Sequence, residues 1–237
     1  MRNLDEHCEK STNSIINQLR IPSLLISLIP HLTIESAKIC SINCLAYIYH
    51  TEEIENEMLT SRLEFLVLSV TYLFDLLERA LRSNNTNSEF RYNFMRQNQA
   101  TFYTATELVD AITKWSMNRV ISQTIALKII TLFTKIIQFY MRCRTPREKE
   151  SASCALATLS IVPELNKVIR ENVALCKCFQ NDILSIESDR LRENLIKIKC
   201  HIYINTCLVS TYGSSGLSIH SRGLVSYPKG LNFGSWT

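Results

Sequence analysis

Glycine is absent from the first 212 residues of this 237-residue chain, and all five glycines fall in the last 25. Glycine reaches positive φ angles without steric cost, which makes it the usual residue of tight turns and of phosphate-cradling loops. A body without it excludes a P-loop and a dinucleotide-binding fingerprint, and it leaves little access to glycine-dependent hairpins. We therefore expect helices joined by short polar corners.

Long apolar runs and a strong charge of either sign are also missing. The most apolar stretch, residues 21–32, carries two prolines and is shorter than the roughly 20 residues that a membrane span needs. The net charge of +4 is below that of a chain with a dense basic stripe for nucleic acid. Residues 1–20 are polar and mixed in charge, unlike a secretory signal. These features predict a cytoplasmic and/or nuclear protein with no membrane span.

Cysteine is abundant, at nine residues, but the context of these cysteines is not that of a disulfide framework. Cys40 and Cys44 stand four residues apart on an apolar helical face, and Cys154 lies in the segment ASCALATL. Free cysteine behaves as a small hydrophobic residue and is often buried. Because the count is odd and no secretory signal precedes it, we expect free, buried thiols in a reducing compartment.

Side chains arranged for metal binding or catalysis are hard to find. Cys176 and Cys178, with Cys200 and His201 downstream, suggest zinc, but residues two apart on a helix point in nearly opposite directions. We expect core packing there. The five histidines are scattered, and we identify neither a nucleophile–base pair nor a poised acidic cluster. The sequence therefore predicts no catalytic residue, no metal and no cofactor.

Helix start signals divide the chain. Thr145, Pro146 and Glu148 form a capping-box pattern, and Pro163 suits the first turn of the next helix. Residues 82–99 lack helical periodicity, so we interpret them as a surface loop with room for one short helix. Apolar residues recur at spacings of three and four in most other segments. The predicted helices are 8–19, 22–31, 34–49, 52–60, 62–82, 101–117, 119–142, 146–161, 163–171, 173–187 and 189–209.

An internal repeat emerges from these helices. Three stretches run from a short helix over a polar corner into a longer apolar helix: 14–29, 54–70 and 165–184. Helices rich in small residues, 35–49 and 150–162, precede the second and the third stretch. Small residues let neighbouring helices approach closely. The repeated order is therefore a small-residue helix, a short helix and a longer helix.

These segments resemble the armadillo family of helical repeats. The related HEAT family is the one most easily confused with it. Residues 21–25, with the sequence IPSLL, match the middle element of the family pattern, and residues 43–48 and 153–159 match its last element. The resemblance implies a right-handed α-solenoid over residues 1–209, made of four or five units, and an all-α fold. Residues 210–237 would form a disordered, flexible tail.

The family's glycine, which ends the short helix in a left-handed cap, is missing here. Asn172 stands at or beside that position in the last unit, and asparagine tolerates the left-handed conformation. In nuclear-import adaptors of this family, a ladder of tryptophan and asparagine on the concave face grips basic peptides. The ladder positions here are Asn43 and Tyr47 in one unit and Cys154 and Thr158 in another. Neither unit keeps the tryptophan–asparagine pair, so we reject import-signal recognition.

The resemblance and the lack of a catalytic set favour a non-catalytic scaffold that binds a peptide or a helix along its concave face. The alternative is a module facing nucleic acid or phospholipid, built on the basic corner 142–149 and on the insertion 90–96, where aromatic residues alternate with arginine. Without any function, the corner would simply be a solvated surface. The aromatic residues of the insertion would then serve only to pack it onto the body. The residues that we expect to contact a partner are Asn43, Tyr47, Trp115, Arg142, Arg144, Arg147 and Thr158.

Overall fold

The computed structural model describes residues 21–49, 63–83, 88–96, 98–117, 119–185 and 188–212, most of which are helical. The prediction of a mainly helical chain is confirmed. Helix α1 (Ile21–Leu28) leads into a short 3-10 turn (Ile29–His31). The other helices are α2 (Glu35–Tyr49), α3 (Leu63–Leu81), α4 (Ala105–Met117), α5 (Arg119–Arg142), α6 (Pro146–Leu159), α7 (Pro163–Glu171), α8 (Val173–Ser185) and α9 (Asp189–Tyr212). Two strands, β1 (Arg91–Arg96) and β2 (Gln99–Thr104), lie between α3 and α4.

Helix ends agree with the sequence where a cap or a proline fixes them. Helices α5 and α7 begin and end at the predicted residues. The capping box of α6 is confirmed, because the Thr145 hydroxyl accepts from the Glu148 N–H and the Glu148 carboxylate accepts from the Thr145 N–H, both at 3.2 Å. Helix α9 runs three residues into the predicted tail, whose other residues, 213–237, lie outside the described residues, as do the predicted helices 8–19 and 52–60.

An antiparallel hairpin, β1–β2, replaces the loop predicted over 82–99 and the first turn of the helix predicted from 101. Both predictions are wrong at this point. Tyr92 pairs with Tyr103 and Phe94 with Thr101, so aromatic and β-branched residues, which favour strands, face each other. The tight turn uses Asn98 at φ 63°, a left-handed conformation that asparagine tolerates. The lack of glycine therefore does not prevent a hairpin.

The corner between α7 and α8 differs from the family pattern in another way. Asn172 has φ −88° and ψ 87°, so the left-handed cap expected there is wrong. The Asn172 side-chain oxygen instead accepts a hydrogen bond from the Leu175 N–H at 3.0 Å. Asparagine at this position therefore caps the start of α8 rather than closing the end of α7.

One series of contacts links helices that lie two or three apart in chain order. Helix α2 contacts α4, α4 contacts α6, and α6 contacts α9. Beside them, α3 contacts α4 and α5, and α5 contacts α6, α7 and α8. Helix α4 also touches β2, and nine of its 13 residues are buried.

Small residues lie buried on α6, which packs against two other helices. On α6, Ala152 and Ala155 are fully buried, and α6 packs against both α4 and α9. The larger core side chains include Phe74 on α3, Trp115 on α4 and Phe133 on α5, all without solvent exposure. The expectation that alanine serves close packing on α6 agrees with this burial.

Candidate interaction face

The exposed side of α2 carries Cys40, Cys44 and Tyr47. Spacings of four and three residues place these three on one face of the helix. Both thiols were expected to be buried, and that expectation is wrong. Ile39 and Ile42, on the opposite side, supply the core packing instead.

Helix α4 continues this surface. Glu107 and Met117 are exposed and Lys114 is half-exposed, again at spacings that share one face. The Lys114 ammonium nitrogen lies 5.4 Å from the centre of the Tyr47 ring, a cation–π distance. The exposed sides of α2 and α4 therefore meet.

Helix α6 adds the half-exposed Cys154 and Thr158, with Ile161 exposed just beyond its end. The Ser151 hydroxyl donates to the Asp110 carboxylate at 2.6 Å, which joins α6 to α4 along this side. We call the following exposed and half-exposed residues, which lie on one side of α2, α4 and α6 or directly after α6, the outer face: Cys40, Cys44, Tyr47, Glu107, Lys114, Met117, Cys154, Thr158 and Ile161.

Helix α9 is joined to α6 by buried polar contacts. The Asn194 amide donates to the Ser153 hydroxyl at 3.0 Å, and the Ser160 hydroxyl lies 2.8 Å from Nδ1 of His201. The Ser160 hydroxyl also donates to the Ala157 carbonyl at 2.8 Å. Burial lowers the pKa of His201, which keeps the ring neutral. The sequence analysis missed this Ser–His contact because the partners are 41 positions apart.

The predicted contact residues on these helices occupy different environments. Tyr47 and Thr158 belong to the outer face, and the Thr158 hydroxyl donates to the Cys154 carbonyl at 3.0 Å. Asn43 is half-buried, and within the described part of the chain its side-chain oxygen is buried without a hydrogen-bond partner. Trp115 is fully buried in the core rather than at the surface.

The basic corner 142–149 holds internal contacts. Arg142 donates to the Leu81 carbonyl at 2.8 Å, and Arg144 donates to the Ser88 carbonyl at 3.2 Å. The guanidinium carbons of the two arginines lie 5.3 Å and 3.7 Å from the centre of the Phe90 ring. Arg142 and Arg144 therefore bind the end of α3 and the entry to the hairpin to the start of α6.

The other cations of the corner differ from each other. Lys149 pairs with Asp182 at 2.6 Å, and the Tyr140 hydroxyl donates to the same carboxylate at 2.5 Å. Burial, and then this hydrogen bond, raises the pKa of Tyr140. Arg147 is exposed on the first turn of α6. Three of the four cations thus stabilise contacts within the chain.

The aromatic side chains of the insertion pack partly against the helices and partly against each other. The hydroxyl of Tyr92 donates to the Glu35 carboxylate at 2.8 Å, and Arg79 donates to the Tyr92 hydroxyl at 3.3 Å. Phe94 stacks on Tyr103 with ring centres 5.3 Å apart. Burial is the main reason that the pKa of Tyr92 is raised. This agrees with the purely structural interpretation of the insertion, in which the aromatic residues pack it onto the body.

Comparison with family models, with curated proteins and with solved structures gave no match to this chain. The armadillo resemblance therefore stays a prediction from the sequence. Within the described ranges, no helix combines the length and the apolar character that crossing a membrane requires.

Proposed function

We propose that this chain is a non-catalytic scaffold of the cytoplasm and/or nucleus that binds a peptide or a helix of a protein partner on the outer face. One observation carries the proposal. Tyr47, Met117 and Ile161 are exposed, and they come from or directly follow three helices that contact one another in turn. Large apolar side chains exposed on helices that contact one another are typical of protein-binding surfaces.

We further infer that α2, α4, α6 and α9 are the stacked third helices of armadillo-like units in a right-handed solenoid. Their consecutive contacts and the buried alanines of α6 support this arrangement. In such a solenoid the third helices line the concave surface, and the outer face would lie there.

The module facing nucleic acid or phospholipid comes second. Such a site needs guanidinium and ammonium groups that can turn toward phosphate. Arg142, Arg144 and Lys149 already bind groups of this chain, whereas Arg147 is exposed on the first turn of α6. The geometry thus favours the protein partner.

Selection of a displayed random-peptide library on the purified full chain tests the proposal. Selected peptides should bind the unchanged chain and lose at least about tenfold in affinity against the double variant Tyr47→Ala/Met117→Ala, because each side chain buries apolar surface on binding. Fluorescence anisotropy of the labelled peptide measures the loss.

Leu68→Ala is the matched control. Leu68 is a large exposed residue on α3 outside the outer face, so its removal should leave peptide affinity unchanged. A library that yields no binder, or binders that respond equally to both variants, would overturn the proposal. Binding to a single-stranded oligonucleotide or to anionic vesicles that falls steeply with salt would support the second candidate instead.

A further inference from the structure

Cys40 and Cys44 form an exposed pair of thiols on α2. They are one helical turn apart, and both are free. On a helix, side chains four residues apart have Cβ atoms about 5–6 Å apart. A disulfide needs about 3.5–4.5 Å, so this pair suits a bridging ion better than a direct bond.

The ligand chemistry of the pair is narrow. Thiolates are soft ligands, which select soft ions such as Cu(I) and zinc. Zinc takes four ligands in structural sites and three in catalytic ones. Among the described residues, no group of three or more histidine, cysteine, aspartate or glutamate side chains is placed to hold a metal. Two thiolates alone satisfy Cu(I), which accepts linear two-coordinate sulfur ligation.

We propose that Cys40 and Cys44 together bind one Cu(I) ion as a two-thiolate site. The two S–H bonds break, two Cu–S bonds form and two protons pass to water, while copper stays in the +1 state throughout. The thiols are on the solvent side of α2, so the ion reaches them without opening of the fold. This inference does not depend on peptide binding by the outer face.

Anaerobic titration of the full chain with Cu(I), supplied as its acetonitrile complex against a chromophoric copper chelator, tests the proposal. One tightly held ion per chain is expected, with X-ray absorption showing two sulfur ligands. C40S and C44S should each lose this ion, and circular dichroism should show unchanged helix content because both positions are exposed.

The double variant C176S/C178S is the matched control. It also removes two thiols from one helix, but the spacing of two residues points them to different sides, so it should keep the ion. Copper that binds no better than to the chelator, or that binds equally to C40S and C44S, would overturn the proposal. Zinc bound more tightly than copper by the same pair would do so as well.

Discussion

The backbone N–H of Phe90 donates a 2.6 Å hydrogen bond to the carboxylate of Glu148, 58 positions later in the chain. Glu148 is fully buried, and its second oxygen accepts from the N–H groups of Arg144 at 2.7 Å and of Thr145 at 3.2 Å. Hydrogen bonds to a charged acceptor are stronger than those between neutral groups. One side chain thus closes the cap of α6 and anchors the start of the hairpin.

Glu148→Gln should lower the free energy of unfolding by about 2–4 kcal/mol. Glutamine carries no charge, and its amide NH2 group would face backbone N–H groups that now donate to the carboxylate. Urea denaturation followed by circular dichroism measures the change. Glu164→Gln, at an exposed position in the first turn of α7, is the control and should stay within about 0.5 kcal/mol of the unchanged chain. Equal losses of unfolding free energy in the two variants would show that the buried hydrogen bonds of Glu148 do not stabilise the fold.

Ala155→Leu should also destabilise the chain, by about 1–3 kcal/mol, since three extra carbons must fit where α6 packs against its neighbours. Ala174→Leu, on the exposed side of α8, adds the same atoms in solvent and should be nearly neutral. Thermal and urea unfolding of both variants compare the two sites. A neutral Ala155→Leu would mean that α6 has room at its contacts.

The hairpin turn offers a local test. Asn98→Val places a β-branched residue at φ 63° and should cost about 1–2 kcal/mol in hairpin stability, whereas Asn98→Gly should be tolerated. Hydrogen exchange of the β1 and β2 amides, compared with amides in the middle of α4, measures the effect. Unchanged protection of the strands in Asn98→Val would contradict the left-handed turn.

His201 should make stability depend on pH. Burial lowers its pKa below the ordinary 6.5. The unfolded chain therefore binds the proton first as the pH falls. The stability contributed by the neutral ring is complete above about pH 6.5 and is lost as the pH falls through the folded-state pKa. His201→Gln should flatten this part of the curve of unfolding free energy against pH, and His31→Gln, at an exposed position, should not. Parallel curves for the unchanged chain and His201→Gln would disprove the assignment.

Local signals in the sequence were enough for most helices. Thr145 with Glu148, and Pro163, fix the starts of α6 and α7 because capping depends on residues within one turn. The hairpin was not predicted because glycine was expected in such a turn, and this turn uses Asn98 instead. The helix predicted from residue 101 begins too early, since Thr101, Phe102 and Tyr103 also suit a strand.

The candidate site was harder to predict because it depends on contacts between distant segments. The sequence identified Tyr47 and Thr158 as surface residues, and both belong to the outer face. The sequence could not show that Arg144 would donate to the Ser88 carbonyl, 56 positions away. Nor could it show that Cys40 would face solvent, because apolar residues surround it in the chain.

The hydrogen bond from Tyr92 to Glu35 has a consequence for synthesis on the ribosome. Residue 35 is synthesised 57 positions before the hydroxyl that donates to its carboxylate, and Phe90 58 positions before the carboxylate that accepts from its N–H. The contact between α2 and the hairpin can therefore form only after residue 92 has left the ribosome, and the contact between the hairpin entry and α6 only after residue 148 has done so.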